Sequence, residues 1–259
     1  MRLGGCNFMY YEILGTNVRL AGSMHFLPVG GTVPQWVVDA YGRSEDVYLE
    51  ANQDDLPRHA FLPQGQSSEP KVTLDLWASI KSRWPADHPY GAPGPLKLWF
   101  IAVVLALSGV RLSYGVENLI RERAKADSRT LKYLEGVGEF AQLMDVVPEA
   151  DYAQAFPLIL GKSAEVRARY VTDAYKAWVS GHMDALTAAM QASPLTQFPT
   201  LRSAIFDARN NLWLPRIINM LGTKRRTVIF IGAGHLGSPN GLLALLSRAG
   251  HDVSLLLTG

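Results

Sequence analysis

The stretch Thr227–Gly241, TVIFIGAGHLGSPNG, limits what this chain can fold into more than any other. Thr227–Ile231 is a run of β-branched and aromatic residues, the profile of a buried strand. It stops at Gly232-Ala233-Gly234-His235, and Ser238 and Pro239 read as the N-cap and first turn of a helix over Leu242–Arg248. Strand, glycine turn and helix set the His235 imidazole at the carboxyl end of a strand, where open α/β sheets bind ligands.

Gly232, Gly234 and Gly237 also spell G-x-G-x-x-G, the dinucleotide-binding fingerprint. That fingerprint needs a following strand that ends in an acid to hold a ribose. Here the following strand is Val253–Leu257; Asp252 precedes it, and only Thr258 and Gly259 come after. A nucleotide domain is not expected, and the glycines need another explanation.

The other end of the chain supplies one. Asn17–Ala21 is a second short strand, and it runs into Gly22-Ser23-Met24-His25. G-x-x-H therefore occurs twice, each time straight after a strand. Glycine suits both places, because a residue without Cβ allows a sharp turn and a close backbone approach. One G-x-x-H means little; two in matching positions point to a shared centre.

Length and composition narrow the class. A chain of 259 residues can build one large domain or two small ones, and 48% hydrophobic with 19% charged residues is an ordinary globular balance. With a net charge of +2 and no basic run beyond Lys224-Arg225-Arg226, nucleic acid is not an expected partner. Cys6 is the only cysteine, which rules out an internal disulfide and a cysteine-rich metal site. Arg2–Cys6 faintly resembles a lipoprotein cleavage box but lacks a preceding apolar region. Leu98–Leu107, the longest apolar run, is too short to cross a bilayer and reads as a buried helix. For the sequence as it stands a cytoplasmic location is expected, with export the alternative for a longer precursor.

Along the chain, Met9–Leu14 and Asn17–Ala21 form a hairpin about Gly15-Thr16. A helix follows near Pro34–Arg43, then a strand Asp46–Leu49 that ends on Glu50. Asn52–Pro70 reads as an irregular excursion with His59 exposed. Helices over Val72–Arg83 and Leu96–Leu107 make residues 70–110 a helical insertion that covers the sheet or lids a site. Arg111–Val116 returns to strand and ends on Glu117, which with Arg121 forms a plausible surface pair in the next helix, Asn118–Ala126. Thr130–Leu134 is a brief strand leading to Glu135.

Glu50, Glu117 and Glu135 are thus three acids at strand ends; singly each could be structural, and their recurrence favours a site. Residues 136–222 are mostly helical in period, and Met144, Met183 and Met190 read as core fillers. His182 reads as a helix-end residue. In the helix Thr200–Leu221, Arg202, Arg209 and Arg216 fall seven apart on one stripe, suited to a carboxylate or oxyanion or equally to a solvated face.

The set GSMH, VYLE, YGVE, YLEG, ARNNLW and FIGAGHLGSPNGLLALLSRAGHDV resembles the TraB/GumN family, which includes the Tiki proteins. The resemblance covers about residues 10–257 and keeps the motif order. It implies an α/β fold of one domain, a central mixed sheet flanked by helices with a helical insertion as a lid or cap, and a bacterial origin. Tiki proteins are described as metal-dependent peptidases, and the distantly related erythromycin esterases as hydrolases that use an activated water. Carried over by position, the implied site is His25, Glu50, Glu117, Arg209, Asn210 and His235, with His25, His235 and Glu50 as metal ligands. A secretory signal, common in the family, and the membrane anchor of animal Tiki proteins are not seen.

Two imidazoles and a carboxylate can hold a divalent ion such as Mn²⁺, Co²⁺ or Zn²⁺ with a position left for water. A second carboxylate could then act as base and Arg209 could stabilise the oxyanion. The expectation is a hydrolase, metal-dependent, acting on a peptide or small amide. Alternatives are a metal-independent esterase-like hydrolase and a non-catalytic metal or haem binder, since one distant relative binds haem. A homodimer stays open.

Overall fold

The computed structural model describes residues 8–52, 54 and 56–256. Cys6, with the rest of Arg2–Cys6, lies outside the described residues, as does Leu257, the last residue of the expected terminal strand.

The apolar run at Thr227 becomes strand β7 (Thr227–Gly232), buried along its first five residues. It pairs in parallel with β2 (Val18–Ser23) on one side and β4 (Asp46–Ala51) on the other, and β6 (Lys132–Glu135) adds in parallel beyond β4. A strand flanked on both sides and covered on both faces needs a continuous apolar sequence, which VIFI provides. Beyond β2, β1 (Tyr10–Ile13) and β8 (Val253–Leu255) pair antiparallel, giving the order β6-β4-β7-β2-β1-β8. The mixed α/β sheet expected from sequence is present. Because β8 is an edge strand beside β1, the strand after the glycine motif is not the second strand of a nucleotide-binding unit.

Neighbouring side chains of a strand face opposite ways, so the sheet feeds two cores. Val228 and Phe230 join Ala21 and Leu49 beneath α1 (Gln35–Arg43), α5 (Val116–Ala126) and α8 (Ala164–Val179), which contribute Trp36, Ile120 and Trp178. Ile229 and Ile231 join Val18 and Leu20 beneath α11 (Ala208–Met220) and α12 (Leu242–Arg248), through Trp213, Ile217 and Leu246.

A third core is made of helices. α3 (Leu74–Arg83) and α4 (Leu98–Leu107), the expected insertion, pack Trp77, Ile80, Trp99 and Ile101 against Met144 of α6 (Val137–Asp145) and Phe156 of α7 (Glu149–Leu160). The covering layer therefore draws on the later helical region as well as on residues 70–110. α4 is a core helix, and no described helix is long and apolar enough to cross a membrane.

Several local expectations are corrected. Asn52–Pro70 contains a helix, α2 (Leu56–Ala60), and its His59 is half-buried against Gly138 instead of exposed. β5 (Leu112–Tyr114) stands apart from the main sheet and pairs antiparallel with β3 (Phe26–Pro28), so Glu117 sits in the first turn of α5 and not at a strand end. Glu117 and Arg121 are not a surface pair: Glu117 is buried and accepts a hydrogen bond from Ser23, while Arg121 donates to the Ala51 carbonyl and to Asp54. Gly241 is the N-cap of α12, and Ser238 takes a φ of 82° in the loop before it. The single helix Thr200–Leu221 is three pieces: α10 (Pro199–Arg202), a π-helical turn Ser203–Asp207, and α11. A π turn holds an extra residue, which takes Arg202 off the stripe that Arg209 and Arg216 share.

Candidate functional site

Parallel pairing brings the carboxyl ends of four strands to one rim. Ser23 of β2 stands opposite Gly232 of β7, and Ala51 of β4 opposite Glu135 of β6. Glu50, one residue before the end of β4, is buried at the middle of that rim. Its Oε1 accepts the Gly232 N–H at 2.6 Å, and its Oε2 accepts Arg209 Nη2 at 2.6 Å. A Cβ on Gly232 would lie 3.0 Å from that Oε1; glycine is what lets the carboxylate reach the backbone there.

Both histidines meet this carboxylate. His25 Nε2 lies 3.6 Å from Glu50 Oε2, and His235 Nε2 lies 3.9 Å from Glu50 Oε1. His25 follows β2, and its ring is 36% exposed, the open member of the cluster. Its Nδ1 faces Glu117 Oε2 at 3.2 Å, off hydrogen-bond geometry, and neither atom has another partner among the described residues. His235 is buried in the short 3₁₀ turn Ala233–His235, against Trp213 and Phe206 at ring separations of 4.5 and 5.0 Å.

Arg209 ties the cluster together from α11. Its Nε and Nη2 donate to Glu135 Oε1 at 2.9 and 2.5 Å, and its Nη1 lies 3.2 Å from His235 Nε2. The guanidinium also sits over the Trp213 ring, 4.5 Å from its centroid, and Trp213 Nε1 donates to Glu135 Oε2 at 3.1 Å. Arg216, one heptad on, turns to Glu139 and the Leu134 carbonyl; Arg202 is exposed outside the cluster. His182 is the exposed N-cap residue of α9 (Met183–Gln191).

Asn210 sets the tautomer of His235. Its Nδ2 donates to the Asn240 carbonyl at 2.9 Å, which leaves Oδ1 to accept from His235 Nδ1 at 2.8 Å. Nδ1 therefore carries the proton and Nε2 is the acceptor of Arg209. Asn210→Leu would orphan the buried His235 N–H, while the Asn240 carbonyl, on an exposed residue, can turn to water. One orphaned buried group costs about 1–3 kcal/mol, and urea unfolding should register a loss of that order.

The electrostatics separate the two imidazoles. Burial, helped by Arg209 and His25 and opposed by Glu50, pushes His235 down to about 3, so it is neutral at physiological pH. Burial also acts to lower His25, but Glu117 and Glu50 outweigh it and hold His25 well above the ordinary imidazole range. Glu50 is raised by burial and pulled down further by Arg209 and His25, ending well below the usual carboxylate range. Glu135 keeps the sign of its burial and is raised, despite Arg209.

Sequence reasoning named His25, Glu50, Glu117, Glu135, Arg209, Asn210 and His235, and the structure brings all seven together. It missed Ser23, Trp213 and Gly115. Ser23 lies inside the first G-x-x-H, and Trp213 follows Arg209 by four residues on one helix face. Gly115 was visible only as a letter in YGVE. Its N–H and that of Val116 donate to the carbonyls of His25 and Met24, both at 2.9 Å. A Cβ on Gly115 would collide with the Met24 carbonyl oxygen and lie 2.8 Å from the His25 carbonyl carbon. Gly115→Ala is therefore expected to cost about 1–3 kcal/mol by overpacking and to displace His25. Thermal unfolding together with the NMR titration of His25 would check both effects.

Above the cluster lies a cavity of about 400 Å³ with His25, Arg209 and His235 on its floor and Val103, Leu107 and Phe140 among its walls. Fold and site together define an α/β protein with a buried His–Glu–Arg cluster at the parallel-strand ends, opening on a cavity. The chain belongs to the TraB/PrgY/gumN family, whose model matches residues 13–255. No curated protein and no solved structure matches it.

A divalent ion fits these residues in donor type and charge, because the three buried carboxylates Glu50, Glu117 and Glu135 stand against one guanidinium, on Glu50 and Glu135, and the His25 ring, beside Glu50 and Glu117. It does not fit their arrangement. Arg209 already donates to Glu50 Oε2 and contacts His235 Nε2, two of the atoms an ion would use. Among the described residues no group of three or more His, Cys, Asp or Glu side chains is placed to hold a metal ion.

Proposed function

We propose that the chain is a hydrolase that cleaves a peptide or other amide bond, or an ester, by attack of water, with His25 carrying the proton. The observation behind this reading is one imidazole, open to the cavity, with a buried carboxylate behind its Nδ1 and a second carboxylate beside its Nε2. His25 Nε2 removes a proton from water as the water oxygen bonds to the carbonyl carbon. The tetrahedral adduct then collapses, the bond to the leaving nitrogen or oxygen breaks, and the proton passes from Nε2 to that atom. Glu117 orients the ring and stabilises the imidazolium, and its own placement by Ser23 supports that role.

Arg209 acts here differently from the oxyanion ligand anticipated from sequence. Its N–H groups are turned to Glu135, Glu50 and His235. It compensates Glu50 and Glu135 at the cavity floor, and it holds Glu50 and His235 in place.

The pH dependence follows from the position of His25. As a base it must be deprotonated, and its neighbours raise it. The rate should therefore rise with pH through a midpoint above about 6.5, the ordinary imidazole value. Glu117→Gln removes the first of the two carboxylates that raise it and should move the midpoint down. A kcat/KM profile that keeps its midpoint in this variant would assign the proton to another group.

A second reading is favoured by the excess of buried carboxylates: a divalent ion held by His25, Glu50 and His235, which when bound would acidify a water. It requires His235 Nε2 and Glu50 Oε2 to be released from Arg209. One screen separates the readings: peptide, amide and ester libraries, with chelator, and with Mn²⁺, Co²⁺ or Zn²⁺ added singly. Turnover that survives the chelator supports the His25 mechanism, and turnover only with an ion puts the second reading first. Stoichiometric haem or metal binding without turnover would replace both with a binding function.

A further inference from the structure

We infer that the cavity above the cluster recognises an uncharged apolar group attached to the carbonyl that is cleaved. The phrase "that is cleaved" rests on the hydrolase reading; the character of the ligand rests on the cavity itself. Its walls come from four helices and carry Val103 and Leu107 of α4, Phe140 of α6, Val171 of α8, and Leu186 and Met190 of α9. Among its lining residues the Lys, Arg, His, Asp and Glu side chains are His25, Arg209 and His235, all on the floor. A charge placed among the walls would lose its hydration and find no opposite charge there, only the hydroxyls of Tyr170, Ser193 and Thr196.

The exposure pattern of α4 says the same. Leu98–Ala102 and Leu105 are buried, whereas Val103, Val104, Ala106 and Leu107 are half-buried, and of these Val103 and Leu107 border the cavity. An apolar surface left open inside a concave site is what an apolar ligand covers favourably. The contrast next door is informative. A second cavity of about 220 Å³ shares Met190 and Phe206 with the first, and it carries Arg202 and Asp207. Charge is present nearby and kept out of the larger chamber. At about 400 Å³ the chamber falls within the usual range for small-molecule sites, roughly 300–1,000 Å³.

Two sources share this chemistry, an aliphatic acyl chain and an apolar amino-acid side chain. The test measures binding by calorimetry to the full chain carrying His25→Ala, which removes turnover from the readout. One arm uses neutral N-acyl glycinamides of increasing acyl length; the other uses dipeptide amides whose first residue is Gly, Leu, Phe or Lys. Each added methylene should tighten binding about fourfold until the chamber is filled. Leu and Phe should exceed Gly at least tenfold, and Lys should bind at least tenfold more weakly than Leu. Val103→Phe, a wall substitution, should weaken the long acyl members at least tenfold and spare the shortest.

A steeper response in the acyl arm assigns the acyl chain, and a steeper one in the peptide arm assigns the side chain. Affinities flat with size, or Lys equal to Leu, overturn the inference even if Val103→Phe fails to fold. The two readings fail separately: a wild-type chain without turnover that keeps the size dependence loses the hydrolase reading only. A hydrolase whose affinities are flat loses the apolar site only.

Discussion

Arg209→Met is expected to cost the fold about 3–5 kcal/mol at neutral pH, the usual penalty for removing one partner of a buried ion pair. The methionine fills much of the space but leaves Glu50 and Glu135 facing each other in the interior without a guanidinium. In the parent, Glu50 is held below the usual carboxylate range. A depressed carboxylate stabilises the fold above its unfolded value, about 4.3, and that contribution is lost as pH falls through the folded value. In the variant burial, the histidines and the Gly232 N–H remain without the guanidinium, so Glu50 rises and protonation relieves the strain on acidification. The gap between parent and variant should be widest near pH 7 and should narrow below about pH 4. Urea unfolding of both chains across that range is the measurement. A gap under about 1 kcal/mol at pH 7 would mean that Arg209 does not compensate the buried carboxylates. Arg209→Lys keeps the charge but not the planar fork, so it should fold better than the methionine variant while still losing most turnover.

His25→Ala should behave in the opposite way. General acid–base catalysis contributes about 10²–10⁴ in rate, and a loss of that size is expected once a substrate is in hand. The loss of stability should be smaller than in Arg209→Met, because the ring is half-buried and makes no well-formed hydrogen bond among the described residues, and it should come from Glu117 and Glu50 losing the imidazole that faces them. His235→Ala, by contrast, removes a buried ring packed on Trp213 and Phe206 and bonded to Asn210, so it should lose fold and turnover together. Parallel measurement of Tm and turnover distinguishes the two histidines. If His25→Ala kept turnover within about tenfold, the proton-carrier assignment would fail.

These contrasts show how far the two G-x-x-H motifs could be read. Both were visible, and each histidine does follow a strand, because an apolar β-branched run is a local pattern, but the strands run on through Gly22 and Gly232 instead of turning there. What the motifs left open is that one histidine is half-buried beside the cavity and raised by its carboxylate neighbours, while the other is fully buried and pushed down. That difference comes from neighbours on other elements: Glu117 from α5 beside His25, and Arg209 and Asn210 from α11 beside His235.

Order along the chain was enough to identify the strands of the main sheet, most helices, the apolar core helix α4 and the residue types of the site, but not β3. It was not enough to show which strands run parallel, and that pairing is what puts Ser23, Glu50, Gly232 and Glu135 on one rim. It misread Glu117 as a strand-end acid, because YGVE carries no mark of the helix that starts at Val116. It placed Arg202 with Arg209, because a π turn is not encoded by spacing. It offered Arg209 to a substrate, whereas two buried carboxylates claim that guanidinium. The physical reason is common to all of these. Secondary structure follows from backbone preference and hydrophobic period within a few residues, while charge compensation and strand pairing depend on groups that meet only when the chain has folded, such as Glu50 and Arg209.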